Sequence, residues 1–238
     1  MKGVGEPPRE WQVVASRMDL EDVSGRVLFP TPRVGPWVPF VRFAETVTTG
    51  HDDDSEGHSH KGEEVLNYIV EGRVDYEDDV GRRTVLDRGA VVLLTAREEA
   101  HHNVRANPAP RSRWLSVIVR VPPVAGGVPH AVQVATAAVP PRSGGGAIER
   151  RLVGRGAPVV SAAGLECVDL EFPDAGRCIC PVGQGRRAVA YAYEGSASID
   201  GHLVEAGAGA LLEGVDEVAV QATSGSRVIL ASAPRPVD

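Results

Sequence analysis

Residues 58–72 read HSHKGEEVLNYIVEG, and this stretch sets the terms for the whole chain. In an extended strand, side chains alternate between faces, so His58 and His60 project from the same side. Glu64 shares its parity with Leu66, Tyr68 and Val70, which points it into a core. The stretch closes on Glu71-Gly72, a turn signal. A related pattern returns later. Residues 68–72 read YIVEG and residues 86–94 read LDRGAVVLL, while residues 191–195 read YAYEG and residues 204–212 read VEAGAGALL. Each copy is a strand ending in Glu-Gly, a hairpin at Val80-Gly81 or Asp200-Gly201, and a turn glycine leading into an apolar strand. Two copies of one β unit follow. The proline- and glycine-rich residues 122–127 and 140–146 mark the connection, which divides the chain at 1–140 and 141–238.

Composition agrees with an all-β chain. Among 238 residues, 42% are hydrophobic and only 5% aromatic, with 27 glycines and 18 prolines, a balance that suits many short strands joined by turns. The net charge of -7 and the lack of any dense Lys/Arg run exclude an electrostatic grip on nucleic acid. No apolar stretch approaches the roughly 20 residues that span a bilayer, and the first residues, MKGVGEPPREW, lack a secretory apolar region. Of three cysteines, Cys178 and Cys180 stand too close along one strand to pair comfortably. A cytoplasmic protein is expected. The two cysteines read as small buried hydrophobes rather than a soft-metal pair, and residues 144–146 read as a linker.

The chemistry concentrates between His58 and His102. In AHHNVRA, residues 100–106, His102 shares its face with Ala100, Val104 and Ala106, so it points inward, whereas His101 goes with Asn103 and Arg105 at the rim. His58, His60, His102 and Glu64 are therefore the candidate ligands of one transition metal, with His101 as the alternative to His102. Neutral imidazoles with one carboxylate suit Fe(II), Mn, Ni, Cu or Zn. The repeat supplies a control. Counting from Tyr191 as from Tyr68 puts Pro181, Gly183 and Arg187 where His58, His60 and Glu64 stand, and counting from Leu212 puts Val220 where His102 stands. None of these binds a metal, so one metal per chain is expected, in the first copy. His51 and Asp52–Asp54 read as a solvated loop at the mouth of the site.

These residues resemble a known family. HSHKGEE at 58–64, YIVEG at 68–72, GAVVLLTA at 89–96 followed by His102, VPFVRFAE at 38–45 and VRVP at 119–122 are similar to the pirin branch of the cupin superfamily. Its pattern is HPHRGFE, YVLEG and GDVQWMTAG with a later H-x-E. The resemblance implies a bicupin, two jelly-roll β-barrels in tandem. The N-terminal barrel would hold a metal, usually iron, through three His and one Glu. Some pirins are similar to quercetin 2,3-dioxygenases, and others are described as transcriptional co-regulators or partners of metabolic enzymes. The chain departs from the pattern at three places. Ser59 replaces the proline and Glu63 the aromatic residue. Val104 stands where the family has its ligating Glu, and a one-residue shift would instead bring His101 and Asn103 into the ligand positions. Glu64 then either completes the ligand set or hydrogen-bonds a ligand imidazole, with water in the vacant place. The expected function is a metal-dependent dioxygenase that opens a small flavonol-like aromatic with dioxygen, Glu64 acting as base. The alternative is a non-catalytic metal- or redox-responsive regulatory cupin with a protein partner. A small-molecule-binding cupin without turnover is the third reading.

Overall fold

The computed structural model describes residues 10–15, 17–20, 23–48, 57–107, 111–123, 130–135 and 139–236. The loop expected at residues 51–54 lies outside them. Every regular element among the described residues is a strand, and none is a helix long and apolar enough to cross a membrane.

The strands build four sheets. One seven-stranded sheet runs His130–Ala135, Val91–Ala96, Glu63–Glu71, Ser112–Arg120, Phe40–Thr48, Val23–Phe29, Arg17–Leu20. A four-stranded sheet of His58–His60, Ala100–Ala106, Arg73–Asp78 and Arg83–Asp87 covers its outer face. The second half repeats the plan. Its seven-stranded sheet runs Glu10–Ala15, Ala208–Glu213, Arg186–Glu194, Ser226–Pro234, Glu166–Phe172, Ala147–Val153, Arg142–Gly144. Its four-stranded sheet comprises Gly176–Pro181, Glu217–Ala222, Ser196–Ile199 and His202–Glu205. Two jelly-roll barrels result, closing most sheet edges. The strand Glu10–Ala15 pairs with Ala208–Glu213 of the other half, so the start of the described chain is woven into the second barrel.

The two seven-stranded sheets face each other in the middle of the molecule. Their shared core joins Leu66, Tyr68 and Val70 of one to Val189, Tyr191 and Tyr193 of the other. Each central strand is therefore buried on both faces, and alternation decides between two interiors rather than between core and water. Along Glu63–Glu71, Leu66, Tyr68 and Val70 face the partner barrel, whereas Ile69 packs inside the first barrel against Val74, Tyr76 and Trp114.

The Glu-Gly signals mark true turns. Gly72 and Gly195 adopt φ of 69° and 66°, and a Cβ at either would collide with the Arg111 carbonyl or the Ser226 hydroxyl. Asp200-Gly201 has positive φ at both positions and closes a two-residue hairpin. The Val80-Gly81 signal sits in a longer loop between Arg73–Asp78 and Arg83–Asp87.

The ladders also correct the alignment of the two copies. Tyr76 pairs with Val104, and Ile199, four residues after Gly195 as Tyr76 is after Gly72, pairs with Val220. Val220 thus matches Val104, and Val218 matches His102. Because His58 lies opposite His102 and Cys180 opposite Val218, Cys180 rather than Pro181 occupies the place of His58, and Val182 that of His60. The connecting loops differ in length between copies, which simple counting could not register. The outcome for ligation holds: Cys178, Cys180, Val182, Val218 and Val220 fill the second barrel as part of an apolar core.

Candidate metal centre

His58 and His60 lie on a three-residue strand at the edge of the outer sheet of the first barrel. Antiparallel pairing sets His58 directly opposite His102 and His60 opposite Ala100. Alternation turns all three imidazoles to the barrel interior. Ring centroids lie 4.8 Å apart for His58 and His60, 4.9 Å for His58 and His102, and 5.1 Å for His60 and His102. One nitrogen from each ring falls within 4.8 Å of the others, and among the described residues no other cluster of three such ligand side chains forms.

Burial disfavours the charged form of two of these rings, His102 and His58. His102 is almost fully buried, and burial, followed by the proximity of His58, His60 and His101, lowers its pKa to about 3. His58 is also lowered, by burial first and then by His60, Arg42 and His101. A neutral imidazole offers a lone pair. The buried His60 Nε2 and both nitrogens of His102 have no hydrogen-bond partner. Buried polar atoms are rarely left so. Convergent imidazole nitrogens, those of His60 and His102 buried without a partner, are what a borderline transition metal requires, so His58, His60 and His102 fit such an ion as its protein ligands.

His60 is aimed by a neighbour. Its Nδ1 lies 2.9 Å from Glu63 Oε2, leaving Nε2 for the interior. Glu63 is steadied in turn by Arg120 at 3.4 Å. A carboxylate behind a ligand histidine fixes the tautomer and raises its basicity. Sequence reading passed over Glu63 in favour of Glu64. The available signal was parity: Glu63 shares a face with Val65 and Asn67, which line the site.

Glu64 is the principal correction. It is completely buried, as expected, but on the other side of the sheet. Its Oε1 accepts from the Thr95 hydroxyl at 2.8 Å and the Ala162 N–H at 2.7 Å; its Oε2 accepts from the Ala163 N–H at 3.2 Å and from the Ser161 hydroxyl. Glu64 fastens the second barrel to the first. It is neither a metal ligand nor a base at the histidines, because its strand separates it from them. His101 is exposed, with Nδ1 3.4 Å from the Ser59 hydroxyl, and stands at the rim while His102 enters.

A cavity of about 410 Å³ opens beneath the three histidines. Its floor comes from the seven-stranded sheet and includes Arg42, Thr46, Asn67, Trp114 and Ser116; Asn103 and Val104 join from the histidine side. No aspartate or glutamate is among the residues lining it. Val104 leaves that side apolar.

Residues 32–115 match the Pirin family model. Over that stretch the chain is similar to the pirins. It is 27% identical over 190 residues to a pirin-like protein of Caulobacter vibrioides, covering 76% of this chain and 68% of that one. It is 28% identical over 210 residues to a Pseudomonas aeruginosa protein named "Putative quercetin 2,3-dioxygenase", covering 81% of this chain and 74% of that one. The bicupin architecture recurs in a crystal structure of quercetin 2,3-dioxygenase from Acinetobacter baumannii, with TM-score 0.81 and 18% identity over 95% of this chain and 79% of that one. It recurs also in the bacterial pirin YhhW from Escherichia coli in complex with nickel(II), with TM-score 0.79 and 15% identity over 95% of this chain and all of that one. In this chain the first barrel carries the candidate site and the second is filled by its own core.

Proposed function

We propose that the first barrel holds one transition metal, iron(II) foremost, through His58, His60 and His102, and oxygenates a small flavonol-like molecule with dioxygen. The observation that carries this reading is the convergence of three imidazoles, with buried unpartnered nitrogens on His60 and His102, on a 410 Å³ cavity. The similarity to proteins named for quercetin 2,3-dioxygenase supports the substrate class. Bound there, the metal would supply Lewis acidity toward a substrate oxygen and a redox partner for dioxygen. The protein's own tasks are positioning and exclusion of water. Glu63 orients His60, the Ser116 hydroxyl donates to Asn67 Oδ1 at 2.6 Å and so fixes the amide, and Trp114 and Val104 supply apolar wall. With Glu64 turned away, the substrate proton has no protein carboxylate in the cavity to receive it.

The test is elemental analysis of untagged protein followed by oxygen uptake with a flavonol. About one metal per chain is expected, lost in His58→Ala, His60→Ala and His102→Ala and kept in His101→Ala. Metal-loaded protein that consumes no oxygen with several flavonols, from neutral to alkaline pH, would rule out the dioxygenase and leave a metal-dependent binding protein.

A further inference from the structure

The charges in the cavity say more about its ligand. Arg42 lies on the Phe40–Thr48 strand in register with Ile118, on the same face as Ala44 and Thr46, which also line the cavity. Apart from the three histidines, it is the only ionisable residue among those lining the cavity. No carboxylate pairs with Arg42 among the described residues. The nearest acid to the histidines in the site, Glu63, is committed to His60 and Arg120. A pocket with an added divalent cation, a guanidinium that no carboxylate pairs among the described residues, and no acid in its lining carries a strong positive bias, and such a field favours anions.

The polar groups share that preference. Because the Ser116 hydroxyl donates to Asn67 Oδ1, the group Asn67 offers to the cavity is its NH2, a donor. Arg42 brings only donors as well, in a planar fork suited to a carboxylate. Trp114 is the single aromatic residue besides histidine in the lining. Pockets for larger apolar ligands are mostly hydrophobic and aromatic; this one sets the Arg42 and Asn67 donors beside a single such ring.

Resting on the metal reading above, we infer that the first-barrel site selects small organic acids already ionised in water, of the 2-oxo or 2-hydroxy acid class. Their carboxylate would pair with Arg42, and their adjacent oxygens would face the metal that His58, His60 and His102 would hold. With no carboxylate in the lining, ligands that arrive as anions meet the donors and the guanidinium without repulsion. A flavonol enters on the same terms, as its anion.

The experiment uses Co(II)-loaded full-length protein, with pyruvate and its neutral analogue pyruvamide as probes, followed by calorimetry and by the cobalt visible bands. Wild type is expected to bind pyruvate at least tenfold more tightly than pyruvamide. Arg42→Gln should weaken pyruvate by about ten- to a hundredfold, the range for loss of a charge-assisted pair, at unchanged cobalt stoichiometry, and Arg42→Lys should recover part of it. Equal affinity for pyruvate and pyruvamide in wild type overturns the inference without recourse to any variant, as does pyruvate binding that survives Arg42→Gln; either result leaves the metal site standing. Wild type that retains no cobalt removes the metal reading and this inference together.

Discussion

Tyr68 of the first barrel donates its hydroxyl to Asp169 Oδ2 of the second at 2.8 Å, and Tyr191, its counterpart in the repeat, donates to Glu45 of the first. Glu45 and Asp169 are themselves counterparts: one pairs in register with Leu115, the other with Ile229. Each acid is bound by an arginine of its own barrel, Arg113 at 2.5 Å from Glu45 and Arg227 at Asp169. The interface thus contains two buried ion pairs, each capped by a tyrosine from across it. Tyr193 adds a second hydroxyl to Asp169 at 2.6 Å. Burial raises the pKa of both cross-barrel tyrosines, Tyr68 and Tyr191, keeping them as donors.

This arrangement predicts an order of damage. Asp169→Asn strands the buried Arg227 charge and should cost about 3–5 kcal/mol. Tyr68→Phe removes one donor while Tyr193 and Arg227 remain, and should cost roughly 1.5 kcal/mol, the low end for a hydrogen bond to a charged group. Urea unfolding of both variants measures this. A Tyr68→Phe loss equal to that of Asp169→Asn would show that the acid depends on the tyrosine rather than on the arginine.

Glu64→Gln tests the reassignment of that carboxylate. The amide replaces one acceptor oxygen with a donor facing Thr95, Ser161 and two backbone N–H groups, so stability should fall by about 1.5–3 kcal/mol. Metal content and affinity should stay at wild-type values, as metal titration and denaturant melts on the same preparation will show. A variant of unchanged stability that no longer binds metal would return Glu64 to the site.

The legible and illegible parts of this chain divide on a physical line. Glu-Gly turns announced the strands, because only glycine fits the positive φ of residues 72 and 195. His58, His60 and His102 were legible because period-two alternation fixes facing within a strand. Glu64 misled because its strand is buried on both faces, and alternation says which residues share a side without saying which interior that side meets. The pairing that distinguishes them is long-range: Glu64 is held by residues 161–163. Val218 and Cys180 escaped the repeat count for a related reason, since loop lengths differ and only the ladders restore register. Arg42 belongs to a strand whose partners at the site come from elsewhere in the chain, so nothing local set it beside His58.

Glu63 should prove the partner that tunes the metal. Its carboxylate at 2.9 Å from His60 Nδ1 fixes the ring so that Nε2 faces inward. Glu63→Gln keeps a hydrogen bond but loses the charge, and Glu63→Ala loses both. Removing such partners typically lowers metal affinity about 10- to 100-fold. The expected series is wild type, then Glu63→Gln, then Glu63→Ala, in falling affinity by competition with a chelator. Equal affinity throughout would mean that His60 is oriented by packing alone.

Acid should destabilise the metal-free protein through His102, and the sign follows from where its protons bind. Its pKa is lowered from 6.5 to about 3 by burial, then by His58, His60 and His101. Above pH 6.5 the ring is neutral in folded and unfolded chains alike, so it contributes no pH dependence. Between 6.5 and 3 the unfolded chain takes up a proton that the folded chain refuses, so stability is lost as pH falls through that window. At pH 5 the loss from this residue amounts to ~2 kcal/mol, before most carboxylates titrate. Chelator-treated protein melted between pH 7 and pH 5 should show this slope, and His102→Gln, which cannot titrate, should flatten it. His58, lowered for the same reason, adds a smaller part that remains in the variant. Identical slopes in wild type and His102→Gln would mean that the ring takes up its proton within the fold, and would sink the picture of a neutral imidazole held ready for a metal.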